Sequence, residues 1–249
     1  MAILIKTAAE IEKMRRSGEA LHKVFEAIRP FILPGASTMD LERVAVAKME
    51  ELHAIPAFKG YHGFPAVLCA SINDEVVHGI PSEKRILADG DIISIDCGVF
   101  IEGFCSDSAI TYAVGTPSAE TKRLLDVTQE SLERAIQQAR VGGRLGDISH
   151  AVQEYCEAAG FGVVRDFVGH GIGRSMHEDP QIPNYGPSGK GPRLKPGMVL
   201  AIEPMINAGG PDVKVLADGW TTITADRSYS AHFEHTVAIT KEGPRVLTR

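Results

Sequence analysis

A register of 107 residues runs through this chain. Gly35 matches Gly142, Asp40 matches Asp147, Leu87 matches Leu194, Gly90 matches Gly197, and Ile95-Asp96 matches Ile202-Glu203. Around those positions the same order occurs twice: an amphipathic helix, a glycine turn, a second helix, then strands. A duplicated half-domain of this kind brings its two acidic strands together across a pseudo-twofold axis, each half supplying a carboxylate. Chance similarity of two helical segments is the competing explanation. It does not account for an L-x-x-G-x-x-x-x-I-[DE] pattern that ends on an acid both times.

In chain order, Thr7 to Glu10 fits a capping box, and Ile11, Met14, Leu21, Val24, Phe25 and Ile28 follow at helical spacing until Pro30. After the Pro34-Gly35 turn, Leu41, Val44, Ala45, Met49 and Leu52 mark a second helix. Pro56 to Pro65 reads as an aromatic and glycine-rich loop, and Val67 to Ile72 as a short strand. A third helix starts at Pro117-Ser118 with Leu125, Leu132, Ala135, Ile136 and Ala139 along one stripe. Gly142-Gly143 breaks it, and Asp147 is expected to cap a fourth helix that Gly160 ends. Gln181 to Pro196 reads as an irregular loop.

The acidic strand can be placed in register. Ile92, Ile93 and Ile95 read as a buried strand ahead of Asp96, and Glu102-Gly103 is the natural turn. With those two residues as the loop, Ile101 pairs with Phe104, Gly98 with Asp107, and Asp96 with Ala109. Asp96 and Asp107 then become diagonal neighbours on one face of a hairpin. Two carboxylates at ~4 Å repel by roughly 4 kcal/mol at an effective dielectric of about 20, so a positive charge belongs between them. An Asp that caps a turn while the other faces water is the reading the hairpin alone leaves open.

Composition narrows the classes. The chain has 249 residues and a formal net charge of −6, enough for a substantial core and no general reason to bind nucleic acid or an anionic membrane. Cys69, Cys97, Cys105 and Cys156 show no C-x-x-C spacing, so reduced thiols and a cytoplasmic home are the default. MAILIKTAAE carries no signal-peptide pattern, and no apolar run approaches the ~20 residues that span a bilayer.

The chemistry-bearing residues are Asp96, Asp107, His170, Glu203 and Glu234, four carboxylates and one imidazole near strand ends or glycine-rich loops. Taken singly, His170 could be structural, Glu203 could end a strand before Pro204, and Glu234 could lie on a solvated face. Together they suit hard or borderline divalent ions, shared between two sites roughly 3.5 to 4 Å apart, and such a pair implies hydrolysis. H-E-x-x-H, G-x-S-x-G and G-x-x-x-x-G-K-[ST] are absent, and Gly169 to Gly173 spells G-x-G-x-G.

With NDEVVHGIP, the Asp96/Asp107 hairpin, GHGIG followed by His177, IEPMI, and the strand containing Glu234, the chain resembles the type I methionine aminopeptidases from the first helix to Thr240. The resemblance implies an α+β pita-bread fold with an internal pseudo-twofold repeat, a curved antiparallel sheet backed by helices, as a single catalytic domain over 1–249 with halves of about 1–115 and 116–249. It implies that Asp96, Asp107 and Glu234 hold one metal and Asp107, His170, Glu203 and Glu234 the other. Glu203 would also be the acid/base, while His78 and His177 would contact substrate at the scissile bond and the peptide carbonyl. The methionine pocket would be lined by Phe58, Tyr61, Phe64, Cys69, Met176 and Trp220. Ordinary core packing is the other reading for Phe58 and Cys69, and Phe58 and Met176 stand where relatives often carry different apolar residues. The implied cofactors are two divalent ions, with Fe2+, Mn2+, Co2+, Zn2+ and Ni2+ all open.

The implied activity is removal of the N-terminal methionine from nascent polypeptides when the second residue is small, by a cytoplasmic monomer with transient ribosome contact. Only 33 positions separate His170 from Glu203, which leaves no room for the helical insertion of type II enzymes, and no N-terminal extension of the eukaryotic kind is expected. Two alternatives share the fold: an Xaa-Pro peptidase and a metal-free binding protein.

Overall fold

The computed structural model describes residues 2–249. Its helices are α1 (Ala8–Ile28), α2 (Thr38–Glu51), α3 (Ala119–Gln138) and α4 (Leu145–Ala158). Among the described residues the main sheet has nine strands, antiparallel throughout. At its centre the Ile92–Ile101 and Phe104–Ala113 hairpin joins the Glu234–Thr240 strand, which pairs in turn with Val199–Ile202.

The repeat is visible in the backbone. α2 and α4 are both 14 residues long and begin 107 positions apart. Each is introduced by the same turn: Gly35 N–H donates to the Leu87 carbonyl as Gly142 N–H does to that of Leu194, at 2.8 and 3.1 Å. Both glycines have φ near +90°, a conformation that strains any residue with a Cβ. Isolated bridges at Ser37–Ile86 and Arg144–Arg193 repeat the same offset. Asp147 is the third residue of α4 rather than its cap. It accepts the Arg144 N–H at 2.8 Å from there, as Asp40 accepts that of Ser37.

One face of the sheet is apolar and carries the helices. Leu21, Val24, Phe25, Leu41, Ala45 and Met49 of the first pair pack on Ile93, Ile95, Cys97 and Val99. Leu132, Ile136, Ile148 and Val152 of the second pair pack with Leu200, Ile202, Val237 and Ile239. On α3 the buried stripe is led by Leu124, which is fully enclosed, while the expected Leu125 is only partly covered. Because strand side chains alternate, covering Ile95 and Ile202 with helices turns Asp96 and Glu203 to the opposite face. The expected hairpin register is the observed one, with Ile101 opposite Phe104, Gly98 opposite Asp107 and Asp96 opposite Ala109. Glu102 and Gly103 both take positive φ, as the two-residue turn requires.

The halves meet where the Phe104–Ala113 strand runs beside Glu234–Thr240, and side-chain hydroxyls extend that seam. Thr236 Oγ1 accepts the Asp107 N–H at 3.0 Å and donates to the Asp107 carbonyl at 2.8 Å; Ser108 Oγ donates to the Glu234 carbonyl at 2.8 Å. The expected Gln181–Pro196 loop begins within a strand, Glu178–Ile182, and is pinned further on by Ser188 and Gly189 donating to Asp147.

Candidate active site

A cavity of about 270 Å³ opens on the face of the sheet away from the helices. Asp96, Asp107, His170, Glu203 and Glu234 all line it. Donor atoms of Asp107, His170 and Glu234 lie within 4.8 Å of one another, and Glu203 Oε1 is 3.6 Å from His170 Nε2. Local sequence explains how His170 gets there. A Cβ on Gly169 would sit 2.4 Å from the Ala201 carbonyl oxygen, and one on Gly171 would sit 2.2 Å from that of Asp179. The GHG tripeptide is therefore what lets this strand slip between its neighbours.

The electrostatics call for a cation. Burial, reinforced by mutual repulsion, pushes the Asp107 and Glu234 carboxyls well above their ordinary range, and burial does the same to Glu203. Asp96 is raised to about 7 by burial, with the Glu203 charge adding to it. Asp96 Oδ1 and Glu234 Oε1 are buried with no hydrogen-bond partner among the described residues. His170 Nδ1 lies 2.9 Å from the Gly171 carbonyl, an acceptor only, so Nδ1 carries the proton. Its Nε2 lone pair then faces the Glu203 carboxylate, acceptor against acceptor. A divalent ion among these donors resolves the lone-pair conflict and the orphaned oxygens together, so the residues present fit a metal.

Around this centre the other expected residues assemble. Phe58, Tyr61, Phe64, Cys69, Met176 and Trp220 all line the cavity, as do His78 and His177. Phe64 and Trp220 meet edge to face at 5.1 Å, and His78 stands edge-on to Phe167 at 5.4 Å. Tyr61 Oη is 2.9 Å from His177 Nδ1, and the His177 ring lies 4.2 Å from that of His170. His78 is held at φ +62°, and burial lowers its imidazole to about 4. Burial likewise holds His170 at about 3 and His177 below its ordinary range, so neutral rings face the substrate space. Phe58 and Cys69 are both buried in one apolar cluster, and both border the cavity.

Several lining residues escaped the sequence reading. His62, Val77, Phe167, Val168 and Met205 line the cavity too; Val77 and Met205 fall inside NDEVVHGIP and IEPMI, but as apolar members with nothing in the sequence to single them out. His232 does have a signal, as a buried imidazole two positions before Glu234, but in the sequence it reads only as a flank of that acid.

The fold and the acidic centre define a class, the metallopeptidases built on the pita-bread scaffold. The profile of metallopeptidase family M24 matches residues 12–241. Methionine aminopeptidase 1 of Bacillus subtilis is 54% identical over 247 residues, covering 99% of each chain. The crystal structure of methionine aminopeptidase from Thermotoga maritima superposes with a TM-score of 0.98 at 48% identity over the whole of both chains. Prolidase from Pyrococcus furiosus shares the fold at a TM-score of 0.80 and 27% identity, but this chain spans 65% of it. The chain belongs to the methionine aminopeptidases of metallopeptidase family M24.

Proposed function

We propose that this chain removes the N-terminal methionine from peptides and nascent proteins, mainly when the second residue is small. The observation that carries the reading is the juxtaposition in one cavity of a cation-demanding acid cluster and an apolar aromatic pocket. Asp96, Asp107 and Glu234 would hold one divalent ion and Asp107, His170, Glu203 and Glu234 a second. Bound there, the ions would supply Lewis acidity toward the scissile carbonyl and lower the pKa of an attacking water.

The protein's own groups do the rest. Phe64, Cys69, Met176 and Trp220 wall a space for an unbranched thioether, and aromatic rims favour sulfur contacts. Glu203 takes the proton from water and passes it to the leaving amine. His78 and His177, held neutral by burial, each present one N–H to the peptide bond and its carbonyl. Tyr61 fixes the orientation of the His177 ring through its Nδ1.

The same reading takes the protein as one catalytic domain acting as a cytoplasmic monomer that meets chains emerging from the ribosome. Its four free, buried cysteines agree with a reducing compartment. Among the described residues, no helix is long and apolar enough to cross a membrane.

The test is turnover of Met-Ala-Ser and Ala-Pro peptides by chelated enzyme as Fe2+, Mn2+, Co2+, Zn2+ or Ni2+ is returned. Activity on Met-Ala-Ser that appears only with metal is the expected result. Preference for Ala-Pro would move the assignment to an Xaa-Pro peptidase, and no cleavage with any of the ions, together with no bound divalent metal, would point to a metal-free binding protein.

A further inference from the structure

His232 lines the cavity, and neither the mechanism above nor the acid cluster uses it. It is 1% exposed, and among the described residues neither ring nitrogen has a hydrogen-bond partner. A buried imidazole with both nitrogens unmatched is costly, and native structures seldom keep one without a use.

Its surroundings narrow that use. The backbone is fixed on both sides, with N–H donating to Thr111 Oγ1 and the carbonyl accepting from the same hydroxyl, each at 2.8 Å. The residue pairs with Met205, so the Glu203-Pro204 corner lies alongside it. From there His232 Nε2 comes within 3.7 Å of Glu203 Oε2. The other oxygen, Oε1, lies 3.6 Å from His170 Nε2. Glu203 is thus bracketed by two imidazoles of opposite character. The proton of His170 is committed to the Gly171 carbonyl, which leaves a lone pair toward the carboxylate. Among the described residues no hydrogen bond commits the proton of His232.

We propose that His232 is a positioning residue for Glu203: its Nε2–H donates to Oε2 and holds the carboxylate with Oε1 turned toward His170 and the acid cluster. Closing the gap takes less than 1 Å of side-chain movement, and active-site hydrogen bonds commonly tighten on ligand binding. The proposal rests on Glu203 being the proton carrier and adds what aims it.

The variants H232Q and H232L separate the roles. Glutamine keeps an N–H donor, leucine keeps bulk alone, and circular dichroism checks that both fold. With Met-Ala-Ser and the Mn2+-loaded enzyme, H232L should lower kcat about 10- to 100-fold, the worth of one hydrogen bond to a charged group. Its KM should stay within about 3-fold, because the contact matters in the transition state, and H232Q should recover most of the rate. Mn2+ stoichiometry by calorimetry should be unchanged in both. Unchanged kcat in H232L, loss of Mn2+ from either variant, a rise in KM alone, or H232Q as slow as H232L would each overturn the proposal. Should wild-type enzyme not cleave Met-Ala-Ser at all, the functional reading falls, and ring 15N shifts of His232 with bound Zn2+ still decide this point. An Nε2–H tautomer supports it and an Nδ1–H tautomer refutes it.

Discussion

At the scale of single residues, what distinguishes the histidines is where each keeps its proton. His170 spends its N–H on a backbone carbonyl and offers a lone pair to the acid cluster. His78 lines the same cavity beside Phe167 and Trp220, away from those donors. Replacing each should therefore fail differently. His78→Ala should lose on the order of 10² in kcat while retaining metal. Glu203→Ala should lose on the order of 10² to 10⁴ and also release metal more readily, because in the proposed mechanism the same carboxylate would both coordinate and carry the proton. Metal analysis after gel filtration, run beside steady-state kinetics, separates the two, and full activity in either variant would contradict its role. The acids were legible in the sequence because strand alternation and the repeat point at them together. His232 was not, because the unmatched state of a buried ring exists only in three dimensions.

At the scale of elements, the two halves depend on a seam that side chains complete. Thr236→Val keeps the shape and leaves the Asp107 N–H without its acceptor. A loss of about 1 to 3 kcal/mol follows, or a fall in Tm of roughly 2 to 12 °C for a chain this long. Calorimetry checks it, and an unmoved Tm would show that the seam does not rely on this hydroxyl. A second strut ties the segment before α1 to the loop carrying Met176 and His177. Lys6 Nζ meets Glu178 Oε2 at 2.5 Å with both side chains buried, while Glu178 Oε1 accepts the Arg174 and Ser175 N–H groups. Lys6→Met strands that carboxylate and should cost about 3 to 5 kcal/mol in denaturant unfolding, much of it recovered by adding Glu178→Gln. The first hairpin could be registered from sequence because a two-residue turn sits between two ten-residue arms that pair without a bulge. Its counterpart could not, because residues 208–229 intervene between Met205–Asn207 and Ser230–His232 and hold a further strand pair. The stripe of α3 was legible at Leu132, Ala135, Ile136 and Ala139, and only its first member is displaced, since Leu124 and Leu125 are both apolar and only packing chooses between them.

At the scale of the whole molecule, the acid cluster makes the metal-free protein sensitive to pH. Asp96, Asp107, Glu203 and Glu234 are all raised, so the folded state binds more protons than the unfolded chain above the ordinary carboxylate range, and stability falls as pH rises through the raised values. The buried histidines work the other way. With His78 at about 4 and His170 at about 3 against 6.5 when exposed, their contribution is complete above 6.5 and lost below it. From 6.5 upward the carboxylates act alone, so the Tm of the chelated protein should fall from pH 6.5 to about 8, and a saturating divalent ion should raise and flatten the curve. A chelated Tm that climbs across that interval would contradict the raised carboxylates. The account as a whole turns on a cation held where the two halves meet, and anomalous diffraction from Mn2+-loaded crystals looks for it directly. It predicts anomalous density among Asp107, His170 and Glu234, within coordinating reach of Asp96 and Glu203 as well; a cavity without density, or manganese bound only elsewhere, would contradict it.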